Sequence, residues 1–250
     1  MPCVIACALM ALAPAASALS TYGMAGIAAL LILLFVIGVA RAARVSGKPV
    51  AKFAGLAAAG ALVWAALLAL VAATGVLARW ELRPPPLLFL MVATLDCAGA
   101  LGFSGLGRLL AQALPLTWLV GFQAFRLPLE LVMHHAANEG LMPVQMSFSG
   151  YNFDILSGVS ALIVALLLAL GRAPSWLVFA WNLLGSLLLA AILAIALAAT
   201  PLIHAFGPGA LNTFIAYVPF VWLPGVMVLS ALVGHILVWR RLIGVRETVT

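Results

Sequence analysis

Seven long apolar stretches, at about residues 22–41, 53–78, 86–105, 115–137, 154–171, 175–200 and 212–239, follow one another with only short turns between them. About 20 apolar residues suffice for an α-helix to cross a bilayer. In hydrocarbon the backbone must satisfy its own polar groups, so a chain of this pattern is confined to a helical transmembrane bundle. Composition agrees, with 66% hydrophobic and 7% charged residues, where soluble domains carry about a quarter charged residues. The expected fold is all-α: one polytopic transmembrane domain of about seven helices over residues 20–250, with the lipid bilayer as its first partner.

Positive charge sets the expected orientation, because cytoplasmic loops retain Lys and Arg. With residue 22 starting outside, the inner loops and tail hold Arg41, Arg44, Lys48, Lys52, Arg108, Arg172, Arg240, Arg241 and Arg246. The outer loops hold only Arg79 and Arg83. The N-terminus is therefore expected outside and the C-terminus inside. The net charge of +6 is explained by this asymmetry and calls for no nucleic-acid partner. Residues 1–19 read as a signal-like or extra apolar segment, with Cys3 to Ala13 apolar and Ala16-Ser17-Ala18 resembling a peptidase site but no positive region ahead of them. Cys3, Cys7 and Cys97 give neither a disulfide framework nor a zinc spacing.

Within the fourth stretch, Arg126, Glu130 and His134 lie four residues apart, on one helical face. A charge at mid-bilayer costs about 2.5–3.5 kcal/mol on insertion scales, so such a stripe marks a candidate site. At 1.5 Å per residue, Asp96 and Arg126 fall at similar depths, which makes them an expected buried ion pair, with Glu130 the competing partner. Asp154 and Asn152 open the fifth stretch, and Asp154 reads equally well as a helix-dipole partner or a site residue. Pro128 is expected to kink the fourth helix by freeing the carbonyl of Ala124, and Pro219 and Pro224 to do the same in the seventh. The segment 138–151 carries two glycines, Pro143, Met142, Met146 and Phe148, the signature of a folded or re-entrant loop. Ala98, Gly102 and Gly105 suit close helix approach. Tyr217, Phe220 and Trp222 are candidate pocket-lining aromatics, and His235 reads as a lone interfacial histidine.

Three classes of function fit these residues. The first is binding, movement or sensing of a small polar or anionic solute or of protons, using Arg126, Glu130, His134, Asp96, Asn152 and Asp154. The second is a membrane-embedded metalloenzyme acting on a lipid or lipid-linked group, with His134, Asp154 and His204 as ligands, although no HExxH spacing supports it. The third is a structural or assembly subunit whose charges lock helices together. A retinal protein is excluded, since the only lysines are Lys48 and Lys52, both in one loop. No cofactor follows from the sequence.

Four motifs add a family likeness. They are Gln123-Ala124-Phe125-Arg126 with Pro128, Glu130 and His134; Gly150-Tyr151-Asn152-Phe153-Asp154-Ile155; Trp181-Asn182 with Gly185; and Pro219-Phe220-Val221-Trp222-Leu223-Pro224 with His235. Together they resemble a family of multi-pass bacterial inner-membrane proteins of uncharacterised function. The resemblance covers roughly residues 85–245 and implies a bacterial inner-membrane location and the same architecture. It implies no activity.

Overall fold

The first helix starts where Ser17, in extended backbone, accepts a hydrogen bond from the Ser20 amide at 3.2 Å, a side-chain N-cap. The computed structural model describes residues 15–247, and the apolar run Cys3 to Ala13 lies outside them. From there the chain forms α1 (Ala18–Val45), α2 (Val50–Ala73), α3 (Pro86–Phe103), α4 (Gly105–Ala113), α5 (Leu116–Gly121), α6 (Arg126–Asn138), α7 (Ile155–Ala169), α8 (Ser175–Ala198) and α9 (Leu229–Glu247). No strand occurs among the described residues. Pro86 sits in the first turn of α3, where its missing donor leaves no bond unmade.

Two interruptions trace to proline. Pro128 has no N–H to give the Ala124 carbonyl, and the backbone tightens into a 3₁₀ turn at Phe122–Phe125, joining α5 and α6 into one bent span, Leu116–Asn138. Pro224 lies in a π-helical turn, Leu223–Val228, that leads into α9. Trp64 of α2 donates to the carbonyl of Gly225 at 2.8 Å, and Trp222 donates back to Ala65 at 3.0 Å, so the irregular turn is tied to a regular helix.

Among the described residues six helical segments are long and apolar enough to cross a membrane: Ala18–Val45, Val50–Ala73, Pro86–Phe103, Leu116–Asn138, Ser175–Ala198 and Leu223–Gly244. The protein is a multi-pass membrane protein. The helix expected at 154–171 forms as α7, but with 15 residues it has about 22 Å of rise, short of the ~30 Å hydrocarbon core. The expected span over 212–239 also begins later, at Leu223, because residues 200–222 run as turns with one 3₁₀ segment at Phe214–Ala216.

The place of α7 follows from close contact. A Cβ added at Gly158 would meet the backbone nitrogen of Leu127 at 2.5 Å, and one at Gly121 would meet Ala165 at 3.5 Å. α7 therefore runs antiparallel to the α5–α6 span, with its first turn beside Arg126. Arg126 stands ten residues into that span, about 15 Å from its start. The segment 139–153 must accordingly descend from the upper end of the bundle, where α6 finishes, to half depth. Leu141, Met142, Gln145, Met146, Ser147 and Asn152 are buried along it, as a re-entrant loop requires.

Elsewhere the packing depends on small residues. A Cβ at Gly102 would come within 2.7 Å of Ile236, so α3 lies directly against α9. Gly105, expected to serve the same end, belongs instead to α4 and has no neighbour at its Cβ position. At the lower end Arg240 donates to the carbonyls of Gly102 (2.6 Å) and Ser104 (3.1 Å), and Arg241 to that of Gln112 (2.9 Å). These cations satisfy the carbonyl ends of α3 and α4. At the upper end Ser20 donates to Glu139 at 2.8 Å, and His135 pairs with the same carboxylate at 2.9 Å, which fastens α1 to the end of α6. Between α2 and α3 an apolar cleft of about 1090 Å³ opens, lined by Leu34, Trp64, Cys97 and Leu237 among others.

Candidate functional site

Arg126 is 1% exposed and is among the largest fully buried side chains of the protein. Its Nη1 donates to Asp154 Oδ1 at 2.9 Å. Asp154 stands at the N-cap position of α7 yet makes no side-chain cap bond. Its carboxylate is spent on the guanidinium, so it pairs with Arg126 rather than capping the helix.

Asn152 holds the cluster together. Its Nδ2 donates to Glu130 Oε1 at 2.8 Å and to the Met146 carbonyl at 2.9 Å, and its Oδ1 accepts the Asp154 amide at 3.0 Å. One side chain thus fixes the loop, the α6 carboxylate and the N-cap residue of α7. An asparagine does this because its amide carries donors and an acceptor on one short stem.

Around these groups lies a buried cavity of about 60 Å³, lined by Arg126, Glu130, Asn152, Asp154 and Asn212 amid Met91, Met133, Leu189, Met227 and other apolar side chains. Two donors, Arg126 Nε and Nη2, and two acceptors, Glu130 Oε2 and Asn212 Oδ1, have no protein partner. Buried polar groups are nearly always hydrogen-bonded, and here free donors and free acceptors stand beside one cavity. Asp154 pairs with Arg126, and Glu130 adds a second carboxylate whose bonded partner is a neutral amide.

The expected site is only partly assembled. Arg126, Glu130, Asn152 and Asp154 come together. Asp96 does not: it is exposed on α3 and makes no ion pair, so the expected Asp96–Arg126 bridge is replaced by Asp154–Arg126. His134, one turn beyond Glu130, is turned to the descending loop, stacked on Phe148 with ring centroids 4.3 Å apart and within 3.2–3.3 Å of Asn138 and Ser149. It does not line the cavity. His204 is exposed in the 200–222 segment, 3.4 Å from the Pro201 carbonyl. His134, Asp154 and His204 are therefore not brought together as metal ligands. Among the described residues no three His, Cys, Asp or Glu side chains could hold a metal ion.

Of the aromatics expected at a pocket, Phe220 is packed in the core and Trp222 is engaged with Ala65, while Leu223, Pro224 and Met227 take the cavity wall. His235 is not interfacial: it is 3% exposed, with Nδ1 2.7 Å from Asn182 Oδ1 and its ring beside Trp181. Sequence reasoning missed Asn212, and named Asn182 only within a motif, with no partner assigned. The signal was present in each, since an amide inside a long apolar stretch needs a buried partner. Comparisons with protein-family models, with curated proteins and with solved structures find no match for this chain.

Proposed function

We propose that this protein is a bacterial inner-membrane protein that exchanges protons, alone or with a small polar solute, at the Arg126–Asp154–Glu130 cluster. The observation that carries this reading is the uncompensated carboxylate of Glu130, one oxygen free, facing a buried cavity at half depth beside an already neutralised arginine. An isolated buried charge is costly enough that such a group binds a proton or a cation instead. An anionic solute is the poorer fit, because it would place a further negative charge in the cavity. The donor edge of Arg126 orients whatever hydroxyl, carbonyl or water enters.

The short helix α7 supports the same reading. Helices that start in mid-membrane, preceded by irregular backbone buried in protein, are a recurrent way of placing polar sites in transporters. The charge asymmetry supports an upper end outside and a lower end in the cytoplasm, and the resemblance to bacterial multi-pass proteins supports the inner membrane as the location. Cysteines placed at Gly47 and Ser149 should label from opposite sides.

The test is proton flux in liposomes holding the reconstituted protein and a trapped pH dye. The wild type should carry protons down an imposed gradient, and Glu130→Gln, which keeps the Asn152 contact but cannot ionise, should abolish the flux while melting like the wild type. Wild-type liposomes no leakier than empty ones would refute the proposal. A loss of thermal stability without any flux to lose would favour a purely structural role for the charges.

A further inference from the structure

A second polar niche lies below the cavity, and its bonding fixes a proton position. Asn182 Nδ2 donates to the backbone carbonyl of His235 at 3.2 Å, an atom that only accepts, so the amide oxygen is the atom facing His235 Nδ1 at 2.7 Å. An amide oxygen cannot donate, so the ring proton sits on Nδ1 and the lone pair on Nε2. Nε2 is buried without a partner, and so is the hydroxyl of Ser157. A Cβ added at Gly185 would lie 3.1 Å from that nitrogen and 3.6 Å from that oxygen. The two orphaned atoms thus converge on one point, kept open by a residue with no side chain.

Ser157 stands in the first turn of α7, and its amide donates to the Asp154 carbonyl at 2.9 Å. Ser157 thus stands one helical turn beyond Asp154, with its hydroxyl on the side of Gly185 and His235. Other charged groups on the elements packed around His235 are Arg126, paired with Asp154; Arg240, engaged by the Gly102 and Ser104 carbonyls; and Asp96 and Arg108, both exposed.

We propose that His235 is the proton acceptor through which the cavity communicates with the lower face. This rests on the proton reading of the cavity. Ser157 passes its hydroxyl proton to His235 Nε2 and takes one from the Asp154 carboxyl. Asp154 returns to the carboxylate that pairs with Arg126, the imidazolium holds its Nδ1 proton on Asn182, and one proton has moved with no electron transferred. The relay requires the Ser157 hydroxyl to turn, or one water to bridge, between the Asp154 carboxyl and Nε2.

The test uses the full-length protein with nitrogen-15 in its histidine rings, reconstituted in lipid. His235, identified by the signal that disappears in His235→Gln, should show the Nδ1–H tautomer. In the dye-loaded liposomes, His235→Gln and Ser157→Ala should lower the flux by an order of magnitude or more, as loss of a positioned acid–base group does, and Ser157→Thr should restore it. Unchanged flux in His235→Gln or Ser157→Ala, with Glu130→Gln inactive, overturns the relay and leaves the cavity reading standing, as does an Nε2–H tautomer. A wild type that moves no protons overturns both.

Discussion

Replacing Asp154 by Leu removes the one ionic partner of a guanidinium that is 1% exposed. Nη1 loses its 2.9 Å bond, and Nε and Nη2 have no protein partner to begin with, so all three nitrogens of a buried cation are left without protein acceptors. Breaking a buried pair from one side costs about 3–5 kcal/mol. The carboxylate of Glu130 remains in the same cavity and compensates in part, which places the expected loss at the low end, about 3 kcal/mol, or roughly 6–12 °C in melting temperature for a chain of this size. Removing both charges is a different perturbation. Arg126→Met with Asp154→Leu leaves no orphaned cation, and apolar replacement of a whole buried pair is often neutral, so the double variant should melt well above Asp154→Leu alone. Tryptophan fluorescence in detergent across a thermal ramp follows both. If Asp154→Leu melted within about 2 °C of the wild type, or if the two losses simply added, the pair would not be the electrostatic unit described here.

Two further outcomes follow from packing and from charge. Gly158→Ala drives a Cβ to 2.5 Å from the Leu127 backbone nitrogen, which cannot yield as a flexible side chain does, so it should cost about 1–3 kcal/mol or more and separate α7 from α6; a melting curve and a cysteine cross-link between positions 121 and 165 report it. Hydrogen bonds from Ser17 and Ser20 hold the Glu139 carboxyl below the ordinary range. The tie between α1 and α6 should therefore be fully present above the ordinary glutamate value of about 4.3 and be lost as pH falls through the lower folded value; hydrogen exchange at the start of α1 should quicken there, and Glu139→Gln should remove that step.

How far the sequence reveals this molecule depends on which coordinate a feature occupies. Long apolar runs are one-dimensional signals, so α1, α2, α3, the α5–α6 span and α8 lie close to where they are expected. Residues 212–221 are as apolar as a helix but run as turns with one 3₁₀ segment: Pro219 and Pro224 interrupt the pattern, and buried irregular chain is apolar for the same reason that buried helix is. Arg126 and Glu130 share a face because helical spacing dictates it. Asp96 fails as a partner because depth arithmetic gives height without azimuth, and its side of α3 turns outward. Asp154 was expected at the outer surface, since nothing in residues 139–153 states that the chain sinks before the helix begins. An interfacial His235 is expected because Arg240 follows it within about a turn and a half, but nearness along the chain says little about which neighbours surround a ring.

The descending segment 139–153 also bears on how this protein can change over time. Loops joining membrane helices usually accept insertions, deletions and tags because water satisfies whatever backbone is added. Here the chain must reach a set depth and arrive with Asn152 in register with Glu130 and with Met146. One added residue would misplace the amide, the start of α7 and the carboxylate of Asp154 together. The length of this loop is thereby fixed as strictly as that of a helix, and the sites open to grafted epitopes lie elsewhere, in the turns at the lower end such as Gly47 and Gly171, where an added Cβ meets nothing.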